Sequence, residues 1–292
     1  MKKPLVSVVM PSYNSEKHIT ESIQSIIDQT FLDWEFIIVD GHSKDKTIDI
    51  IKNFMDKDPR IRLLFDERKG IGPALNMGCE AAQGKYIARM DTDDVSLPER
   101  LEKEVEYLER HENTVLVSCC ANFFDDRGTI VGQFFPYTWP HIIRHCATTI
   151  LHPGVMMRKK EYEETGGYPP IKRAEDLMLW YRLLKLGDVK ILNDILVNYR
   201  TSEEALSNYT TEYFNMNVNK RWKKYAEKPL DSSSLKEIED FVNENITTVS
   251  VKIKRTKSVE EKAYGFFCKC FPERWARGLV LFLKNIYGLK KL

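Results

Sequence analysis

Residues 5–14, LVSVVMPSYN, carry the reading of the fold. Positions 5–10 are a β-branched apolar run closed by Pro11, the pattern of a strand buried on both faces, and PSYN is the turn it enters. Outward from it, residues 15–28 place Ile19, Ile23, Ile26 and Ile27 on one helical face behind Ser15, a candidate N-cap. FIIV at 36–39 is a second buried strand ending at Asp40-Gly41, and residues 46–55 repeat the helical spacing through Ile48, Ile51 and Met55. A strand at 61–65, a helix at 71–82 stopped by Gly84, and a strand at 86–90 follow. Strands alternating with helices over short connections predict a parallel sheet covered on both faces. Such sheets bind ligands beyond the carboxyl ends of their strands.

The remainder is mixed. It reads as a helix at 98–111, a strand at 114–119, a hairpin at 123–135 around Asp126-Arg127-Gly128, a strand at 155–158, a helix at 175–186 and a strand at 195–200. From residue 207 onward strands fade and helices take over. The domain organisation read from this is 1–205 for the main body, as a nucleotide-binding type of half at 1–94 and a mixed half at 95–205, then a helical 206–292.

With 292 residues and 42% hydrophobic side chains, the chain has ample material for a core, which excludes global disorder. The six cysteines, Cys79, Cys119, Cys120, Cys146, Cys268 and Cys270, form no CxxC pair and read as reduced, mostly buried thiols of a cytosolic protein. The amino-terminal apolar run is too short for a signal peptide, and no stretch reaches the roughly 20 apolar residues of a membrane span. The net charge of +1 hides an asymmetry, because residues 251–292 hold 11 Lys and Arg against 3 Glu, leaving −7 for residues 1–250.

The strongest chemical signal is MDTDD at 90–94, directly after a strand. Three carboxylates in four positions repel one another unless a cation or hydrogen-bond donors offset them. Oxygen ligands of this kind suit Mg²⁺ or Mn²⁺ shared with substrate phosphates, and a solvated acidic turn is the plain alternative. Asp40 ends the second strand, where an acid holds a ribose or base in some nucleotide sites and is only a turn residue in others. The turn after the first strand has no G-x-G-x-x-G, which argues against NAD; Tyr13 there is suited to stacking on a base. Glu175-Asp176 opens an amphipathic helix, either as a dipole-stabilised cap or as a general base within reach of a substrate hydroxyl. Lys172 and Arg173 lie in the loop before it. His152 reads as a structural histidine or as an acceptor-side or metal-side ligand. Ser12 has no His/Asp partner that would make a hydrolase triad.

VSVVMPSYN at 6–14, EFIIVDGHSKDKT at 35–47, GIGPALNMGCEAAQGKYIARMDTDD at 70–94, HPGVMMRK at 152–159 and ED at 175–176 occur in order. Together they resemble family 2 glycosyltransferases of the GT-A fold, especially bacterial enzymes that build capsule and O-antigen chains, over about residues 4–205. The resemblance implies an α/β, Rossmann-like, mostly parallel sheet flanked by helices. It implies that Pro11 and Tyr13 line the base site, that Asp40 hydrogen-bonds the base, uracil, and that Asp91 lies near the ribose and diphosphate. Asp93 would be the metal ligand with Asp94 able to share that role, Asp176 the general base, and Glu175 the residue that orients acceptor or base. Two departures stand out. The second motif commonly reads V-D-D-G-S and here is Val39-Asp40-Gly41-His42-Ser43, one acid short. Arg221-Trp222 is preceded by Val218 where the Q-x-x-R-W motif of processive members has Gln, which argues for single addition.

The expected activity is therefore inverting, metal-dependent transfer of a sugar from a UDP-sugar to a hydroxyl of a saccharide acceptor, lipid-linked, in surface polysaccharide synthesis. The alternatives are transfer to a polyprenyl phosphate, or nucleotide-sugar binding without catalysis. The basic tail at 251–292 interleaves aromatics such as Phe266, Phe267, Trp275 and Tyr287 with Lys and Arg. That suits a helix on the inner face of the cell membrane, a helix packed on the body, or a homodimer contact. No nucleic-acid motif accompanies the charge.

Overall fold

The computed structural model describes residues 3–68, 70–135, 150–171 and 175–201, with a few positions between 233 and 240. Lys172, Arg173, Arg221-Trp222, Cys146, Cys268, Cys270, the region from 206 apart from those few positions, and the basic tail lie outside the described residues.

β1 (Val6–Ser12), β2 (Trp34–Asp40), β3 (Ile61–Phe65) and β4 (Tyr86–Arg89) form a parallel block in the order β3-β2-β1-β4. Crossovers run through α1 (Ile19–Ile27), α2 (Thr47–Met55) and α3 (Ile71–Ala81). The period-2 alternation of strand side chains assigns the faces. Val6, Val8, Met10, Phe36 and Ile38 pack with Ile19, Ile23 and Ile26 of α1 and Ile51 of α2. Val9, Ile37 and Val39 pack the other way, onto Ala74, Leu75 and Cys79 of α3.

The sheet continues through β5 (Val95–Ser96), β6 (Thr114–Phe124), β7 (Ile130–Phe134), β8 (Met156–Arg158) and β9 (Asp188–Arg200), in the order β4-β8-β6-β9-β5. β8 is antiparallel to β4 and to the first half of β6, β7 pairs with the second half of β6, and β6 and β9 run parallel. α4 (Arg100–Arg110) joins the first face, while α5 (Lys159–Glu164) and α6 (Glu175–Leu186) join the second through Tyr162, Leu177 and Trp180. The sheet is thus mixed, mostly parallel and covered on both faces. Strand order reverses between β1 and β4, so the crevice beyond their carboxyl ends is a topological switch point. PSYN and MDTDD flank it.

Three expectations are corrected. β1 runs through Pro11 to Ser12 rather than stopping at it. Val9 offers its carbonyl to Met90 N, so alternation turns Pro11 to the same side, where β4 has already ended and no N–H is needed. Ser15 does not cap α1, which starts four residues later behind His18; its hydroxyl instead meets Thr92 Oγ1 at 3.0 Å and donates to the Tyr13 carbonyl. The strand expected at 195–200 is the last part of the thirteen-residue β9, whose register against β6 shifts at several bulges. Cys79, Cys119 and Cys120 are free and buried.

Candidate active site

The acidic loop starts where β4 ends. Asp91, Asp93 and Asp94 each bring one carboxylate oxygen to within 4.8 Å of the others, the only such cluster among the described residues. Main-chain anchors hold the loop: Ser22 Oγ of α1 donates to the carbonyls of Thr92 and Asp94, and Arg200 Nε donates to that of Asp93. Crowding shows in the proton affinities. Burial and then the charge of Asp91 push Asp93 up to about 6, and burial with Asp91 and Asp93 raises Asp94 well above the usual carboxylate range. Asp94 Oδ2 is buried with no donor, while its Oδ1 accepts from Arg200 N at 2.8 Å. A site of hard oxygens with an uncompensated buried one fits a divalent cation. Asp91 and Asp93 are half-buried and Asp94 is fully enclosed, so the open side of the cluster belongs to the first two.

Glu175 and Asp176 lie in the first turn of α6. The positive end of the helix and the Leu177 N–H, 2.8 Å from Asp176 Oδ1, favour ionised carboxylates. Burial outweighs both. It raises Asp176 and, together with the Asp176 charge, pushes Glu175 up to about 8. Two neighbouring carboxyls both raised by burial, with Glu175 the one pushed up to about 8, are the pattern of a functional acid/base site.

α3 fixes where this pair sits. Asn76 Nδ2 donates to the Tyr168 carbonyl and Asn76 Oδ1 accepts from Tyr168 N, both at 2.8 Å, and also from the Tyr162 hydroxyl. Gly72 lets α3 approach: a Cβ there would stand 2.9 Å from the Pro169 carbonyl oxygen and 3.7 Å from Glu175 Cβ. Gly72→Ala must therefore displace the segment leading into the pair. We expect kcat to fall by about 10–100-fold and the melting temperature to fall with it, checked by steady-state kinetics beside a thermal melt.

Arg89 stands between the two centres. It is 2% exposed at the end of β4, is paired with Asp91, and keeps a buried Nε without a partner. Its charge favours the ionised forms of Asp93, Asp94, Glu175 and Asp176, and Asp91 opposes it at both acids of the helix. His152 does not belong to the acidic cluster. Its Nε2 is 3.1 Å from the Tyr168 hydroxyl and its ring meets the edge of Trp180, on the α6 side. Burial and the nearby Arg89 keep its pKa well below the usual histidine value, so it is neutral.

Across the crevice the first two motifs are laced together. Asn14 N donates to Ser43 Oγ, Lys44 N to Asn14 Oδ1, Ser15 N to Thr47 Oγ1 and Gly41 N to the Ser12 carbonyl. Asp40 is fully buried in this lacing. Oδ2 accepts from Ser12 Oγ and Ser43 Oγ, and Oδ1 accepts from Ser43 N. Its geometry is that of a brace across the turn, with its oxygens engaged inside the fold rather than offered to a base. Pro11 is half-buried at the same edge, and Tyr13 is 62% exposed beside Gly41. His42, in the left-handed region at φ 62°, stacks on the 43%-exposed Phe65 with ring centroids 5.4 Å apart. His42, Phe65, Arg89 and Arg200 were not singled out by the sequence. An aromatic or an arginine as the last residue of a strand aimed at the crevice is the one signal that marks three of them.

The fold and site define a class: a nucleotide-site α/β sheet with a cation-ready acidic loop facing a tuned acid pair. The family model described as Glycosyl transferase family 2 matches residues 7–166. An uncharacterised glycosyltransferase of Methanocaldococcus jannaschii is 38% identical over 209 residues, 68% of this chain and 72% of that protein. UDP-Glc:alpha-D-GlcNAc-diphosphoundecaprenol beta-1,3-glucosyltransferase WfgD of Escherichia coli is 29% identical over 70% of this chain and 79% of its own length. The chain belongs to glycosyl transferase family 2, and it is a glycosyltransferase. The fold is that of S. aureus TarS 1–349, solved in complex with UDP-GlcNAc, at a TM-score of 0.61 and 22% identity over 94% of this chain and 82% of that one.

Proposed function

We propose that the chain moves a sugar from a UDP-sugar onto a saccharide hydroxyl, with inversion and with a divalent cation, in the assembly of a surface polysaccharide. The observation that carries the reading is the pairing of two acidic centres, Asp91–Asp94 and Glu175–Asp176, on either side of Arg89 at the switch point. The TarS complex with UDP-GlcNAc and the diphosphoundecaprenol acceptor in the name of WfgD support a UDP donor and a lipid-linked acceptor.

In this reading Tyr13 and Pro11 receive the base, with His42 and Phe65 extending the aromatic wall, and Asp40 holds the turn that presents them. Asp91 faces ribose and diphosphate, and Asp93 is the principal cation ligand, with Asp94 anchoring the loop. The cation, Mn²⁺ or Mg²⁺, supplies charge neutralisation for the departing diphosphate. Asp176 accepts the proton of the acceptor hydroxyl as its oxygen bonds to the anomeric carbon. The bond from that carbon to the diphosphate oxygen breaks, and its electron pair leaves with UDP. Displacement from the opposite face inverts the centre. Glu175, neutral, donates a hydrogen bond that orients the acceptor, and His152 buttresses the helix through Tyr168 and Trp180.

A donor panel tests this. We expect UDP release in the presence of acceptor from at least one UDP-sugar, lost in EDTA and restored by Mn²⁺ or Mg²⁺; release unaffected by EDTA contradicts the metal assignment. We also propose a boundary near residue 205 and a membrane-facing role for the 251–292 tail, on its excess of 8 positive charges. Among the described residues no helix is long and apolar enough to cross a membrane. Full-length protein is expected to float with anionic vesicles and a chain ending at residue 250 is not; equal flotation of both sinks the idea.

A further inference from the structure

β9 ends on an arginine that is only 5% exposed, with its main-chain N, Nε and Nη2 all hydrogen-bonded. Its main-chain N donates to Asp94 Oδ1 and its Nε donates to the Asp93 carbonyl, each at 2.8 Å. Nη2 donates to Glu21 Oε2 of α1 at 2.5 Å, and Nη1 stands 3.6 Å from Asp126 Oδ1 at the tip of the β6–β7 hairpin. The guanidinium carbon lies 4.2 Å over the Phe124 ring. One side chain thus joins α1, the acidic loop, the hairpin and β9.

Two features set this apart from a surface ion pair. Ser22 holds the Thr92 and Asp94 carbonyls and Arg200 holds the one between them, so the loop's main chain is specified at three successive residues. The charge balance also matters. A lone arginine beside a cation site would repel the cation or capture the Asp93 carboxylate. Glu21 and Asp126 offset its charge from the far side, and Lys17, 2.6 Å from Asp126, completes the group.

We propose that Arg200 is the positioning residue of the acidic loop. Its side chain sets the Asp93 carboxylate toward the cation and diphosphate by gripping the Asp93 carbonyl, while its main-chain N, which any substitution keeps, holds the Asp94 carboxylate; it does not itself touch substrate. The idea rests on the cation reading of the loop given above.

Electrostatics and positioning predict opposite signs for its removal. Deleting a positive charge near a cation site should tighten cation binding if charge alone matters; losing the grip on the loop should weaken it. Mn²⁺ binding is measured by the loss of the free-ion electron paramagnetic resonance signal, without turnover, on full-length wild type, Arg200→Met, Arg200→Lys and Glu21→Gln, each with a thermal melt. We expect the Mn²⁺ Kd of Arg200→Met to rise about 10–100-fold, the usual effect of removing an outer support of a metal site. Arg200→Lys keeps the charge but has one nitrogen to share between the Asp93 carbonyl and Glu21, so it falls between wild type and Arg200→Met. Glu21→Gln, at a side chain 56% exposed, shifts Kd in the same direction by less. If Arg200→Met does not fold, the lysine variant decides. Folded variants with wild-type or tighter Mn²⁺ binding overturn the proposal. Wild type that binds no Mn²⁺ overturns the cation reading instead, so the two failures are told apart.

Discussion

Asp176→Asn is expected to lower the rate of sugar transfer by about 10²–10⁴-fold, the range that a positioned general base contributes, while Mn²⁺ and UDP affinities stay within about twofold of wild type. The substitution is nearly isosteric, and Asn can still accept the Leu177 N–H that Asp176 Oδ1 accepts at 2.8 Å, so α6 keeps its first turn. What is lost is the ability to take the acceptor proton. The same centre sets the pH profile. Burial holds the Asp176 proton affinity above its ordinary value and pushes Glu175 up to about 8. A base must be unprotonated to work, so kcat/KM of wild type is expected to rise with pH through the acid limb set by the pair and then level off. Glu175→Gln mimics the neutral Glu175 already present across that limb, so the limb is expected to stay where it is. A profile that is flat from pH 5 to 9 in wild type contradicts the assignment.

The second large effect belongs to the other centre. Asp93→Asn is expected to cost about 10²–10³-fold in kcat, the scale of removing one stabilising group from a developing anion, and to weaken Mn²⁺ binding in parallel. Asp93 carries this rather than Asp94 because of where their oxygens go. Asp94 is enclosed, with Oδ1 on Arg200 N, whereas Asp93 is half-buried and only its main-chain carbonyl is engaged by Arg200. Asp94→Asn keeps an acceptor for Arg200 N and relieves repulsion from Asp91 and Asp93, so it is expected to leave the melting temperature at or above that of wild type and to weaken Mn²⁺ binding less than Asp93→Asn. Metal titration of activity, read beside a thermal melt, separates the two.

The parallel block was legible because its strands are short apolar runs and its helices keep a 3.6 period: Ile19, Ile23 and Ile26 do lie together on α1. β9 was read only at its end because Asp188, Lys190, Asn193 and Asp194 interrupt the apolar pattern, and bulges that break its register leave no period to follow. Ser15 looked like a cap because residue type alone does not report that three residues of turn precede Ile19. Among the site residues, acids were easy to see, since clustered carboxylates are conspicuous in any sequence. Their burial was not. Asp40 reads as a ligand-facing acid at a strand end, and only the structure shows three donors from Ser12 and Ser43 closing on it. Arg89 and Arg200 were missed for the matching reason: an arginine at a strand end looks like a solvated charge until its carbonyl and carboxylate partners are in view.

The division of labour between the two acidic centres is tested most directly by calorimetric titration of UDP with Mn²⁺ into wild type, Asp176→Asn and Asp93→Asn, with transfer measured on the same preparations. The account predicts that Asp176→Asn binds UDP and Mn²⁺ like wild type yet hardly transfers, whereas Asp93→Asn loses binding and transfer together. Asp176→Asn that transfers at the wild-type rate, or Asp93→Asn that binds UDP and Mn²⁺ as tightly as wild type, would contradict it.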